Sequence, residues 1–177
     1  MADERVTVYI DGSNLYHSLR DSMGRMEIDL EKFRNKLVGE RRLVRTYYYN
    51  ATLDQKREPE AYKNQQRFFD ALRHIPYMEV RLGRLVYPPG AGSPPHEKGV
   101  DIKIATDMIV DATRELYDVA MLVSGDTDFA DALQAIKNMG RHVEVVLFNA
   151  SGSWRIREVA DRIIPVDEQF LRDCWRK

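Results

Sequence analysis

Apolar and polar positions alternate with two different periods along the chain. Short apolar runs at 6–10 (VTVYI) and 119–124 (VAMLVS) predict buried strands, and the second is so nearly pure that both faces of its sheet are expected to be covered. Elsewhere apolar side chains recur at helical spacing, as Phe68, Phe69 and Leu72 do. Strands that alternate with helices predict βαβ units and a mainly parallel sheet, which is an α/β fold.

The same pattern sets the approximate limits of the elements. The predicted strands are VTVYI (6–10), LVRTYYYN (43–50), MEVRLGRLVY (78–87), VAMLVS (119–124) and HVEVVLF (142–148). The predicted helices are LYHSLRDSM (15–23), EAYKNQQRFFDALRH (60–74), VDIKIATDMIVDATRELY (100–117) and DFADALQAIKNMG (128–140), the last with Gly140 as its expected cap. The segment YPPGAGSPPHEKG (87–99) holds four of the seven prolines, so it is expected to be an exposed, mobile loop without regular structure.

Composition narrows the class of protein. No internal repeat or domain boundary is evident, so residues 1–177 are expected to form a single domain. The apolar runs are too short to span a bilayer and the N-terminus lacks a basic, then apolar leader, which together predict a cytoplasmic protein without membrane contact. The single cysteine, Cys174, excludes a disulfide scaffold and a cysteine zinc site within one chain. A net charge of −1 argues against a strongly basic nucleic-acid binder.

Aspartates follow two predicted strands and begin one predicted helix. Asp11 ends the first strand, Asp126 and Asp128 follow the strand at 119–124, and Asp101 begins the helix near Val100. Because functional groups in open α/β sheets collect beyond the carboxyl ends of the strands, these carboxylates are expected to share one cleft there. Taken alone, each of them is more simply explained as a helix cap, a first-turn acid or a turn residue.

Four carboxylates in one cleft repel each other, which a bound cation would relieve. Carboxylate oxygens without histidine or cysteine favour Mg²⁺ or Mn²⁺. The histidines do not have metal-ligand spacing, so zinc is not expected; they are His17, His74, His96 and His142.

Three motifs in chain order resemble those of a known family. DGSN (11–14), KGVD (98–101) and SGDTDF (124–129) are similar to the NYN domain, the LabA-like branch of the PIN-like nucleases, and SWRIREVAD (153–161) is similar to a downstream motif of that family. The resemblance covers nearly the whole chain. It implies a Rossmann-like (PIN-like) three-layer α/β sandwich with a mainly parallel central sheet, and metal-dependent hydrolysis of RNA phosphodiester bonds.

The resemblance carries over to individual positions. Four residues fall on the family's acidic positions: Asp11, Asp101, Asp126 and Asp128. Asn14 falls on the polar position after the first strand, and Ser124 on the serine before the double aspartate. Asp11, Asp101 and Asp126 are interpreted as metal ligands, and Asp128 as a ligand or a base that orients water. For Asn14 and Ser124, contact with a carboxylate or a phosphate oxygen is weighed equally with a local cap or turn bond.

Other candidates have simpler alternatives. Lys98 could contact a substrate phosphate or be a solvated loop residue, and Tyr16 could stack on a base or be partly buried in its helix. Arg41, Arg42 and Arg45 form a cluster that would either follow an RNA backbone or form a solvated face.

Three functions from different classes remain. The first is a Mg²⁺- or Mn²⁺-dependent ribonuclease, which fits the absence of any GxSxG, Cys–His or phosphate-loop motif because bound metal activates water without a side-chain nucleophile. The second is a non-catalytic RNA-binding or regulatory module that keeps the acidic pocket. The third is a small-molecule phosphohydrolase, which is weakest because DGSN lacks the second aspartate of a DxD nucleophile pair. A dimer partner or another protein is expected to help select the substrate.

Overall fold

Seven strands form one sheet in the computed structural model, which describes residues 3–89, 94–148 and 154–176. The strands are β1 (Arg5–Asp11), β2 (Arg42–Thr52), β3 (Met78–Val86), β4 (His96–Lys98), β5 (Val119–Val123), β6 (His142–Phe148) and β7 (Arg162–Val166). They lie in the order β4-β3-β2-β1-β5-β6-β7, and all neighbours are parallel except β3 and β4. The predicted mainly parallel sheet is therefore confirmed.

Helices connect the parallel strands. They are α1 (Gly12–Met23), α2 (Leu30–Val38), α3 (Pro59–Arg73), α4 (Val100–Thr113), α5 (Ala130–Asn138), α6 (Trp154–Val159) and α7 (Glu168–Leu171). A single 3₁₀ turn, Thr127–Phe129, lies between β5 and α5. Throughout the described ranges, no helix has both the length and the apolar character needed to cross a membrane.

Two hydrophobic cores cover the two faces of the sheet. Val8 and Ile10 of β1 belong to the core shared with α1, α2 and α3, which we call the first face. Tyr9, between them, belongs to the core shared with α4, α5 and α6, the second face. Because side chains alternate along a strand, β1 packs against both layers, and all of its residues from Val6 onward are buried. This arrangement is the expected three-layer α/β sandwich.

Two differences from the sequence predictions concern β4 and α2. The segment 87–99 was expected to lack regular structure, but residues 96–98 form β4, in which Glu97 lies opposite Leu85 of β3. Prolines and glycines earlier in that segment obscured the strand signal of residues 96–98. Residues 90–93, on which the predicted mobility partly falls, lie outside the described residues. The helix α2 was not predicted, although Asp29 caps it by accepting a hydrogen bond from the Lys32 N–H at 3.1 Å.

Smaller differences concern the ends of helices. The helix predicted to reach residue 117 ends at Thr113, which leaves Tyr117 as a buried side chain in an otherwise exposed connection, where its hydroxyl donates to the Met108 carbonyl at 2.7 Å. The cap of α5 is Met139 rather than Gly140. Gly140 follows it with a φ of 77°, a conformation that glycine adopts without strain.

Candidate active site

Asp11 lies at the carboxyl edge of the sheet, where β1 turns directly into α1. It is the last residue of β1 and the cap of α1, because its Oδ1 accepts a hydrogen bond from the Asn14 N–H at 3.0 Å. Gly12 makes this turn possible: a Cβ at that position would lie 2.5 Å from the Tyr48 ring and from the Tyr49 carbonyl oxygen. The aspartate–glycine pair therefore lets α1 begin in contact with β2.

The turn after β5 is bonded to the turn after β1. The Ser124 hydroxyl donates to Asp11 Oδ2 at 3.1 Å and accepts from the Asp126 N–H at 3.2 Å. The side-chain oxygen of Asn14 accepts from the Gly125 N–H at 3.1 Å. These bonds hold the ends of β1 and β5 together. Ser124 contacts a carboxylate, which is one of the two interpretations given for it above. Asn14 instead makes a turn bond between the two strand ends.

The other aspartates occupy helix starts at the same edge. Asp126 Oδ1 accepts from the Asp128 N–H at 3.0 Å and so caps the 3₁₀ turn, while Asp128 itself is exposed. Asp101 lies in the first turn of α4, which begins after Gly99 in the left-handed conformation (φ 81°). Helix capping therefore explains Asp126 and Asp11 locally, but it does not explain Asp101, since α4 has no side-chain cap.

The charges of these carboxylates act on one another. Burial raises the pKa of Asp11 to about 6; hydrogen bonds from Asn14 and Ser124 oppose that rise, and the charges of Asp101 and Asp126 add to it. The pKa of Asp101 is also raised, first by burial and then by the charges of Asp126 and Asp128. The four aspartates therefore lie within electrostatic range at one edge, as the order of the strands predicted.

A fifth carboxylate, Glu97 of β4, belongs to this group and was missed by sequence analysis. Burial raises its pKa to about 7, followed by the charges of Asp11 and Asp101, while bonds from the Ala51 backbone and the Ser13 side chain lower it. The available signal was its position four residues before Asp101 in HEKGVD. Because this stretch was interpreted as a loop without regular structure, Glu97 was not considered as a site residue.

The donor atoms of the site suit a hard cation, but the carboxylates are widely spaced. All five side chains offer carboxylate oxygens, and the charged groups that act on the pKa of Asp101 are both acids. Across residues 3–89, 94–148 and 154–176, however, no three His, Cys, Asp or Glu side chains are close enough together to hold one metal ion. A cation at this edge would have to draw the carboxylates together.

Lys98 and the arginine cluster at 41–45, both candidates for contact with RNA, lie in different surroundings. Lys98 is exposed on β4, and because strand side chains alternate, it points away from the face that Glu97 occupies. The cluster that begins at Arg41 lies at the amino end of β2, on the edge opposite the aspartates. Arg41 is not part of a solvated face, since its guanidinium donates to both carboxylate oxygens of Glu144 at 2.9 and 3.1 Å.

Comparisons with known proteins find a relative, a solved structure and a family that this chain resembles. The chain is 26% identical over 168 residues to the low amplitude and bright protein LabA of Synechococcus elongatus, a match that covers 93% of this chain and 84% of LabA. The fold is similar to the crystal structure of a protein of unknown function from Vibrio parahaemolyticus RIMD 2210633, with a TM-score of 0.75, 23% identity and 96% of each chain covered. Residues 5–167 match the family model of the NYN domain, and the chain therefore belongs to the NYN domain family.

Proposed function

We propose that this protein is a metal-dependent ribonuclease that hydrolyses RNA phosphodiester bonds at the carboxyl edge of its sheet. The observation that carries the proposal is the gathering of five carboxylates whose electrostatic neighbours are other carboxylates. NYN domains are generally nucleases, which supports both the reaction class and RNA as the substrate. Carboxylates that repel one another disfavour the folded state, so their presence on one edge favours a binding role over a structural one.

Each residue has a proposed task in this reaction. Asp11 is the best-ordered ligand, because bonds from Asn14 and Ser124 fix both of its oxygens and leave further lone pairs available. Asp101 and Asp126 complete the ligand set, and exposed Asp128 either joins it or orients the attacking water. Bound Mg²⁺ or Mn²⁺ would lower the pKa of that water and neutralise charge on the phosphoryl oxygens.

The remaining site residues would assist. Glu97 adds a carboxylate next to Asp11 and Asp101. Asn14 and Ser124 hold the two strand ends in register, and we propose that Lys98 meets a phosphate of the RNA farther from the scissile bond.

A second candidate function is an RNA-binding or regulatory module that retains the acidic pocket without cutting RNA. The open spacing favours it, because no three potential ligands among the described residues are grouped closely enough to hold a metal ion. The two candidates differ in one measurable property, the cleavage of RNA when metal is added.

The deciding experiment compares two matched capping variants. Asp126→Asn and Asp29→Asn both replace an aspartate whose oxygen accepts a capping N–H bond, but Asp29 caps α2 and is not among the charges that act on the pKa of Asp11, Glu97 or Asp101. Because asparagine also caps helices, both variants should fold. Labelled RNA is incubated with each protein in Mg²⁺, in Mn²⁺ and in EDTA.

The ribonuclease proposal expects metal-dependent cleavage by the parent and by Asp29→Asn, and a loss of at least a hundredfold in Asp126→Asn, since a ligand to the metal is removed. Cleavage that persists in EDTA, or that is equal in all three proteins, indicates a contaminating nuclease and refutes the assignment. RNA binding without cleavage in any metal supports the regulatory module instead.

A further inference from the structure

An open groove runs along α1 on the first face of the sheet. We call it the α1–α3 groove: a cavity of about 590 Å³ between these helices, with Tyr48 and Asn50 of β2 at its base. It begins at Gly12 and Ser13, directly after Asp11, and Ser13 also bonds to Glu97. The groove is therefore continuous with the acidic edge. Its charged lining residues are Glu27 and Arg176.

Three aromatic side chains, Tyr16, Tyr48 and Phe68, line the groove. The rings of Tyr48 and Phe68 meet edge to face with their centroids 5.6 Å apart. Tyr16 lies beside them on α1 and remains 49% exposed, so its ring presents an apolar surface to whatever enters. Aromatic rings in an open groove are the usual platform for unpaired bases, because every base has a π face that can stack.

Side-chain amides add fixed polar groups to this apolar lining. The Gln65 amide accepts from the Leu53 N–H and donates to the Ala51 carbonyl, both at 2.9 Å. Asn50 Nδ2 donates to the Tyr48 hydroxyl at 3.3 Å. Each amide nitrogen carries a second N–H beyond these bonds, which is available to the edge of a base.

Beyond Arg176 the groove opens into a basic cleft of about 770 Å³. Its charged lining comprises five cations and one acid: Arg25, Lys32, Lys36, Arg172, Arg176 and Asp173. The ion pairs here are long and exposed, such as the 3.9 Å contact between Lys36 and Asp173, so they neutralise little of this charge. In a chain of net charge −1, such a concentration of cations is a local attraction for phosphate.

We propose that the α1–α3 groove and the basic cleft together form the track of a single-stranded RNA. A base lies against Tyr16 and Phe68, and the phosphates beyond it meet Arg176 and Arg172. The other end of the RNA reaches the acidic edge; this part of the inference rests on the proposed function of that edge. Paired bases do not expose the faces and edges that this groove contacts, so duplex RNA is not accommodated.

Intrinsic fluorescence can observe this track without any cleavage. The chain has two tryptophans, Trp154 on α6 and Trp175 in the basic cleft, where the Arg25 guanidinium lies 4.7 Å from its ring. In a Trp154→Phe protein, Trp175 is the sole tryptophan reporter. Titration with a short single-stranded RNA in EDTA should change its emission in a saturable way, whereas the same sequence as a duplex should not.

Variants then test the two halves of the track. Arg172→Gln with Arg176→Gln should weaken RNA binding at least tenfold and lower the salt dependence by about 0.7 in log–log slope for each phosphate that is no longer neutralised. Tyr16→Ala should weaken binding about tenfold because a base no longer stacks there, with little effect on folding because the ring is half exposed. The matched control, Arg114→Gln with Arg162→Gln, removes two exposed arginines that do not line the track and should bind as the parent does.

The outcomes separate this inference from the nuclease proposal. Track-dependent binding without metal-dependent cleavage supports the track and refutes the nuclease. If the track variants cleave RNA in a metal-dependent way and bind it as tightly as the parent does, the track is overturned and the nuclease proposal stands. Equal binding of single-stranded and duplex RNA overturns the track. The track is also overturned if its variants change the oligomeric state and leave RNA affinity unchanged, a result that would assign the groove to a second copy of the chain.

Discussion

The two edges of the sheet use the same acidic residue types in opposite ways. At the amino edge, Asp118 receives bonds from Arg5 at 2.8 and 3.1 Å, and this partner lowers the pKa of Asp118 to about 2. Glu144 is paired with Arg41 in the same two-bond manner. At the carboxyl edge, Asp11 and Asp101 meet other carboxylates, and their pKa values rise. Among the described residues, these acids are thus paired with arginines at the amino edge, whereas at the candidate active site Asp11 and Asp101 have other carboxylates as charged neighbours.

The largest effect on stability is expected at the amino edge. Arg41→Met keeps the aliphatic stem but leaves Glu144, whose side chain is only 9% exposed, with one cation among the described residues, the solvent-exposed Arg162 at 3.6 Å. Breaking a buried pair in this way should lower the free energy of unfolding by about 3 kcal/mol in urea denaturation. The double variant Arg41→Met with Glu144→Leu should recover most of that loss. A double variant as unstable as the single one would contradict the assignment of this loss to an uncompensated charge.

An effect of the opposite sign is expected from Asp11 as pH changes. Its pKa is raised in the folded state, so the protonated carboxyl favours folding below pH 4, and this stabilisation is lost as pH rises through about 6. Without metal, the stability of the parent relative to Asp11→Asn should therefore fall by roughly 2 kcal/mol between pH 4 and pH 7. Calorimetry in EDTA across this range measures the difference, in which any pH-independent effect of the substitution cancels. A parent that gains on the variant as pH rises would show that Asp11 is neutralised by a cation of the chain.

The smallest effect on stability is expected from added metal. A bound cation should neutralise the carboxylates of the carboxyl edge, as arginines neutralise those of the amino edge. Mn²⁺ at ten times its dissociation constant should stabilise the parent by about 1.4 kcal/mol, because the ion binds only the folded site. Asp101→Asn, which removes an acid that caps no helix, should show a smaller rise in Tm. The Arg41→Met protein keeps the full acidic edge, so its metal-dependent rise should equal that of the parent. Equal rises in the parent and Asp101→Asn would place the ion elsewhere.

Sequence analysis located the aspartates because their positions follow from local rules. Asp11 and Asp126 each follow an apolar run that is recognisable as a strand, and parallel strands end at a common edge. Glu97 could not be found in this way, because β4 has three residues and becomes a strand only by pairing with β3. The ion pair of Arg41 with Glu144 joins residues that are 103 positions apart, so a cluster of arginines in the sequence gave no indication of it.

The groove was beyond sequence analysis for a related reason. Tyr16 was recognised as an exposed or partly buried ring, but its neighbour Phe68 comes from α3 and Arg176 from the C-terminal segment. Only the folded arrangement of α1 against β2, which Gly12 permits, shows that the three side chains line one cavity. Surfaces assembled from distant segments have no periodic signature along the chain.

The margins of the sheet also bear on how the chain avoids aggregation. An unpaired outer strand can recruit a strand from another molecule, and short, charged or proline-containing strands discourage this. Both outer strands are of this kind: β4 is the tripeptide His96–Lys98, and β7 contains Pro165, which lacks a backbone N–H. Continuous sheets that run from one copy to the next are therefore disfavoured, and copies of this chain are expected to associate through their helices.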